Sequence, residues 1–373
     1  MPRGTSIVTV LATVLLAVCA AAADPEETTV KNVKRADGKV WIAGVPGFDS
    51  GVYSDSVHGS QARILQALGE PMTYEDLLCY SGFAFRVQLH KGGCPSSAHP
   101  YCGYECVDNA FRALPWVVKV YGADKRKGNE AAFDAEVRAA VKASIDRGIP
   151  VHYGCEEDGL IIGYGDDGKR WWCMHPYHQN GKVEFWHDEV KGFAGGTWPW
   201  GIAVWQAPKP AADRVPEKEL LRAALAQAVD MWRTEKRGDY SCGDAAYRGW
   251  LEWLAAVEAG TWPKPEGGMH TNGWVFDVLC SSRRIAGAWL KAKAAAYDGA
   301  TKEQLLVAAG HYEAMAAELM AGLKCPWDLA LPPGRVKDWT SALRQEQIKR
   351  LTAARAHDRA ASAALELALP GLK

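Results

Sequence analysis

No sign of charge dominates this chain. Lys and Arg total 43 against 44 for Asp and Glu, a formal charge of −1. No basic stripe stands out, so a nucleic-acid partner is not expected. Long apolar runs are equally scarce: after residues 7–20 no stretch is long enough to cross a bilayer, so no integral span is expected once the N-terminal segment is removed. No repeat of fixed period suggests a solenoid. No strong metal-ligand spacing is present, and no cofactor is expected. What is abundant is tryptophan, at 16 residues. Such rings stack on sugars or fill cores, and the core reading is preferred. At 373 residues, 48% of them hydrophobic, the chain can bury two cores.

Residues 1–23 read as an export signal. Arg3 gives the positive start, Ile7 to Ala20 the apolar stretch, and Ala20 to Ala23 the small residues for cleavage before Asp24. The expected location is secreted or periplasmic. A lipoprotein anchored through Cys19 ranks second, because Val18 is large for the position before the cysteine. Removing Cys19 from the 10 cysteines leaves an odd number, so at least one thiol is unpaired within the chain. Cys94, His99, Cys102 and Cys106 could supply four metal ligands, but their spacing is not a strong zinc pattern. Disulfide or packed thiol is the preferred reading in an exported protein.

Helices come first, then a run of strands, then helices again. Asp55 to Gly69 predicts a helix, capped by Ser54 or Asp55, with Val57, Ile64, Leu65 and Leu68 on one face. Thr73 with Asp76 predicts a second helix start. Phe83 to Leu89 reads as extended, Cys94 to Cys106 as a loop, Glu105 to Leu114 as helical, and Asn129 to Arg147 as a helix capped by Asn129. Strands are expected at 40–45, 150–153, 160–164, 170–174, 183–187 and 201–205, with a hairpin turn at Asp166-Asp167-Gly168. The fold class is therefore α+β over residues 24–206, a linker at 207–216, and an all-α region over 217–373.

The Asp55-Ser56 pair opening a helix that ends at Gly69 resembles the nucleophile helix of papain-like bacteriocin-leader peptidases and butirosin-type acyltransferases, with Ser in place of Cys. The run from Met72 to Phe85, then Gly148-Ile149-Pro150-Val151 and Leu160 to Gly165, continues the likeness. It spans about residues 40–205. The run Tyr240 to Trp250 resembles the helical C-terminal part of uncharacterised exported bacterial proteins. The resemblance implies a papain-like domain with its helix laid on an antiparallel sheet. It implies a nucleophile at Ser56, a facing group at Glu157 or Asp158, and an orienting group at His175 before Pro176.

Those are not the expected Cys, His and Asp. No Gln lies shortly before Ser56 to serve as the usual oxyanion donor. A serine hydroxyl needs a base, and an Asp with an ordinary pKa of about 3.9 is a weak one. The expectation is therefore a degenerate, non-catalytic cleft lined by Asp55, Ser56, Ser81, Gly82, Glu157 and Asp158 that holds a peptide or small molecule. The alternative is an active cysteine- or serine-type hydrolase or acyltransferase using Ser56 or a rearranged Cys/His set. Cys79 reads as a core thiol. Cys155 beside His152 lacks an orienting partner. His58 reads as a partly buried helix histidine, and His175, His178 and His187 as satisfied surface residues rather than metal ligands.

Overall fold

The computed structural model describes residues 32–48, 55–174, 176, 184–187, 198–262, 265–332 and 335–372. Residues 1–23, Ser54, His175 and His178 lie outside the described residues, and His187 is described only as part of its strand. The chain is α+β, with a helical C-terminal half. In order it runs β1 (Val33–Ala36), β2 (Lys39–Ile42), α1 (Ser56–Ala67), α2 (Tyr74–Tyr80), β3 (Gln88–His90), α3 (Val107–Ala113), β4 (Trp116–Gly122) and α4 (Glu130–Asp146). Then come β5 (Val151–Gly154), β6 (Gly159–Gly165), β7 (Arg170–Met174), β8 (Glu184–His187) and β9 (Gly201–Pro208). The C-terminal half holds α5 (Glu217–Arg233), β10 (Lys236–Arg237), β11 (Tyr240–Cys242), α6 (Gly243–Glu258), α7 (Pro265–Ala294), α8 (Gly299–Met320), α9 (Trp327–Ala330) and α10 (Ser341–Ala368).

The main sheet is antiparallel, in the order β1-β2-β6-β5-β9-β4, with β7 pairing β6 and β8. Strand alternation places the two faces in different cores. Leu160 and Ile162 of β6 join one core, while Ile161 between them joins the other. Against the Ile161 face lies α4, through Phe133, Val137, Val141 and Ile145, the residues whose four-residue repeat predicts that helix. On the opposite face lie α1 and α2, and the C-terminal helices pack behind them in the same core.

That continuity qualifies the expected linker. Ala207 and Pro208 finish β9, pairing with Val117 and Trp116, instead of starting a free connection. The core then runs across residues 207–216 without interruption: Leu77 and Leu78 of α2 and Leu220 and Leu225 of α5 belong to it together. A small ribbon of β10, β11 and β3 ties residues 88–90 to 240–242.

Other expectations also shift. Phe83–Phe85 is a tight 3-10 turn, not extended chain. Asn129 stands at the helix start, but its side chain makes no cap bond, and the Gly128 N–H turns to Glu130 instead, at 2.9 Å. The strand β4 has no counterpart in the sequence reading. It is an edge strand with Val117 and Val120 exposed, so its hydrophobic alternation is blunted.

Candidate functional site

The start of α1 is built as its sequence suggests. Asp55 caps it, accepting from the His58 N–H at 2.8 Å, and its other oxygen accepts from the Tyr74 hydroxyl at 3.3 Å. The same carboxylate meets His58 Nδ1 at 2.9 Å. With its side chain spent this way, Asp55 supports the helix and does not face a ligand. His58 is fully buried against Phe83 rather than partly exposed.

Ser56 is 5% exposed, and its Oγ accepts the backbone N–H of Asp158 at 2.9 Å. Among the described residues no imidazole is bonded to that hydroxyl. Ser56 therefore anchors the β5–β6 hairpin to the helix, and the position that should carry the nucleophile has become a structural clamp. Ser81 and Gly82 likewise form a turn. The Ser81 hydroxyl donates to the Leu78 carbonyl at 2.9 Å and accepts from the Phe83 N–H at 3.1 Å. Gly82 adopts φ +81° with the Gln227 side chain close against its Cα. Glu157 stands half-buried beside Asp158 at the hairpin tip.

Asp158 is the centre of the arrangement. It is fully buried just ahead of β6, and two histidines converge on it. His152 on β5 approaches through Nε2 at 2.5 Å from Oδ2. His99 approaches from the other side, Nε2 at 3.7 Å from Oδ1, an ion-pair distance longer than a hydrogen bond. The Cys155 N–H adds a bond to Oδ1 at 3.3 Å. Burial alone would push the Asp158 carboxyl up, but the imidazoles of His152 and His99 outweigh it and hold the pKa below its ordinary value.

His99 lies three residues before Cys102, and its Nδ1 accepts the Tyr101 N–H at 3.3 Å. A turn is closed by the Cys102 N–H on the His99 carbonyl, at 3.1 Å. Burial opposes charge on His99, yet Asp158 and Cys102 together overcome it and lift its pKa to about 10. The reverse holds for the thiol. His99 is the main cause that lowers the Cys102 pKa, partial burial opposes it, and Tyr240 and Arg86 add to the lowering. Both shifts run toward a charged pair, a more acidic thiol beside a more basic imidazole, next to the buried Asp158 carboxylate. Cys102 is half-buried, and His99 is walled by two solvent-exposed aromatics. Tyr101 stacks on the ring at 5.5 Å and Trp200 meets it edge-on at 5.7 Å.

A buried arginine holds the loop that carries the pair. Arg86 donates to the carbonyls of Ser97, His99, Cys102 and Tyr104 at 3.3, 3.0, 3.1 and 3.0 Å. Gln88 adds bonds to the Cys102 carbonyl at 2.9 Å and from the Tyr104 N–H at 2.8 Å. Gly103, at φ +70°, passes so close to the Gln88 amide that a side chain there would collide with it. Lysine keeps the charge of Arg86 but lacks its planar fork. Arg86→Lys is therefore expected to cost on the order of 3 kcal/mol in urea denaturation and to slow alkylation of Cys102.

The four residues weighed as metal ligands do not converge. Cys106 lies under the loop, its thiol on the Tyr104 carbonyl at 3.5 Å and pushed up to about 12, chiefly by burial. Among the described residues no group of three or more His, Cys, Asp or Glu side chains could hold a metal ion. All nine thiols after Cys19 are free. Cys155 is buried and pushed up to about 12, mainly by burial with Asp158 adding, and Cys79 is buried and raised still further by burial. The sequence reading weighed His99 and Cys102 together only as possible metal ligands, behind disulfide or packed thiol, and did not pair them with Asp158. The signal was local, a histidine and a cysteine three positions apart around Pro100 and Tyr101. Their carboxylate partner comes from a distant hairpin. Compared with known proteins, the chain matches no family model and no curated sequence.

Proposed function

We propose that this protein is a cysteine-dependent hydrolase or acyltransferase on a papain-like frame, with Cys102 as nucleophile, His99 as acid and base, and Asp158 as the group that orients His99. One observation carries the reading: His99, three residues before Cys102 in the same loop, brings its Nε2 to 3.7 Å from the buried Asp158 carboxylate, and His99 is the main cause that lowers the Cys102 pKa. The Cys102 sulfur attacks an acyl carbonyl, the bond to the leaving group breaks, and His99 delivers its proton to the departing atom. Water or an amine then attacks the thioester, gives its proton to His99, and releases the thiolate. His152 fixes the second oxygen of Asp158 and so keeps the carboxylate turned toward His99. Tyr101 and Trp200 offer aromatic surface beside the reacting bond, which suits a peptide or small acyl donor with a flat or apolar group there. The papain-like frame is supported by α1 lying on the antiparallel sheet and by the resemblance of residues 40–205. Export of the mature chain is part of the proposal and rests on residues 1–23.

A second reading, a cleft that binds without turning over, draws support from Ser56, whose hydroxyl is consumed in structure. A burst of nitrophenolate from p-nitrophenyl acetate separates the two. The mature chain is expected to release about one equivalent and to carry the acetyl mass on Cys102, while a fluorophosphonate probe leaves Ser56 unmodified. An acetyl group on Ser56, or no burst at all, would count against Cys102. For amide donors, whose leaving group must be protonated, the rate is expected to fall as pH rises through about 10, where His99 loses its proton.

A further inference from the structure

A wide cavity opens between the β3–β11 ribbon, α6 and the first turns of α7. Its volume is about 910 Å³, the size of a small-molecule site. We propose that it binds an uncharged, flat, largely apolar molecule.

The walls supply aromatic faces. Trp250 is buried in the wall, Trp253 stacks on Trp339 at 5.8 Å, and Trp262 stands 43% exposed at the rim. Three of the polar groups deep in the wall are already used. Trp250 Nε1 donates to Asn272 at 2.7 Å, the Asn272 amide donates to the Ala330 carbonyl at 2.8 Å, and the Thr271 hydroxyl donates to the Gly93 carbonyl. A sugar would bring many hydroxyls to that deep part of the wall, where the partners are taken, and leaving them unpaired is costly. A flat apolar molecule brings no such demand. At the rim Lys91 is paired with Asp239 at 2.8 Å and Glu252 is exposed, which disfavours an anion.

Two glycines keep the space clear. Gly249 lies inside α6 and Gly267 in the first turn of α7, and both line the cavity. A Cβ at either would meet nothing within 4 Å. Glycine weakens a helix interior relative to alanine, and no neighbour demands it at these positions. The absence of a side chain is explained by what it leaves open.

The test is titration of the full mature chain with N-phenyl-1-naphthylamine, a neutral aromatic fluorophore. Saturable binding is expected, with a blue-shifted emission and quenching of tryptophan. Gly249→Leu is expected to weaken it tenfold or more with the far-ultraviolet circular dichroism unchanged. Gly267→Val, from the other wall, does the same independently and serves if the first variant fails to fold. Equal binding by folded Gly249→Leu or Gly267→Val and the parent would overturn the site. Displacement of the fluorophore by cellotetraose would overturn the ligand class.

Discussion

Iodoacetamide at pH 7 is expected to alkylate Cys102 ahead of every other thiol, and His99→Ala is expected to slow that reaction by about 5- to 30-fold. An ordinary thiol, with a pKa of about 8.5, is only a few per cent thiolate at this pH. His99 is the main cause that lowers the Cys102 pKa, which raises its thiolate fraction. The gain in thiolate population sets the upper end of the range, and the lower nucleophilicity of a more acidic thiol trims it. Asp158→Asn removes the charge that favours imidazolium and is expected to fall between the two. Cys79, Cys106, Cys155, Cys173 and Cys280 are all buried, and burial raises each of their pKa values. Mass spectrometry of the tryptic peptides over time reads the order directly. An unchanged rate in His99→Ala would show that the pair does not govern the thiol.

The second large effect belongs to Arg283. It lies fully buried on α7 and forms a two-pronged pair with Asp358 of α10, at 3.0 and 2.8 Å. The Tyr247 hydroxyl donates to the same carboxylate at 2.7 Å. The other guanidinium hydrogens go to the carbonyls of Ala84, Phe85 and Arg86, at 2.5, 3.0 and 3.4 Å. Arg283→Met strands a buried carboxylate and three carbonyls, and is expected to cost about 3–5 kcal/mol in urea denaturation. The double variant Arg283→Met with Asp358→Leu removes both charges and is expected to recover a large part of that loss, because the desolvation cost disappears with the pair. Equal instability of the single and double variants would mean that the carbonyl contacts, not the ion pair, carry the effect.

These two arginines join the halves of the chain. Arg283 grips the backbone at 84–86 from the helical side, and Arg86 then grips the backbone of the loop that presents His99 and Cys102. Tyr240, on β11, reaches the same loop through Ser96 at 2.7 Å. The helical half therefore shapes the loop as well as covering the core.

Much of the architecture could be read from the sequence because it is periodic. The α1 helix, the Thr73–Asp76 cap, the α4 stripe and the strand run from Val151 to Trp205 all follow from local spacing. The site was hidden because its logic is not local. His99 and Cys102 sit in a loop rich in Pro, Ser and Gly, where their meaning depends on Asp158 arriving from a separate hairpin. Ser56 misled for the opposite reason. It occupies a helix mouth that suits a nucleophile, but the Asp158 N–H takes its hydroxyl, which no sequence spacing announces.

The central claim is that His99 makes Cys102 a more acidic thiol than an ordinary one. Thiolate absorbance at 240 nm, taken as the difference between the native chain and Cys102→Ser from pH 4 to 11, measures it directly. A step well below the ordinary thiol value of about 8.5 is the predicted result. A step at or above that value would contradict the account.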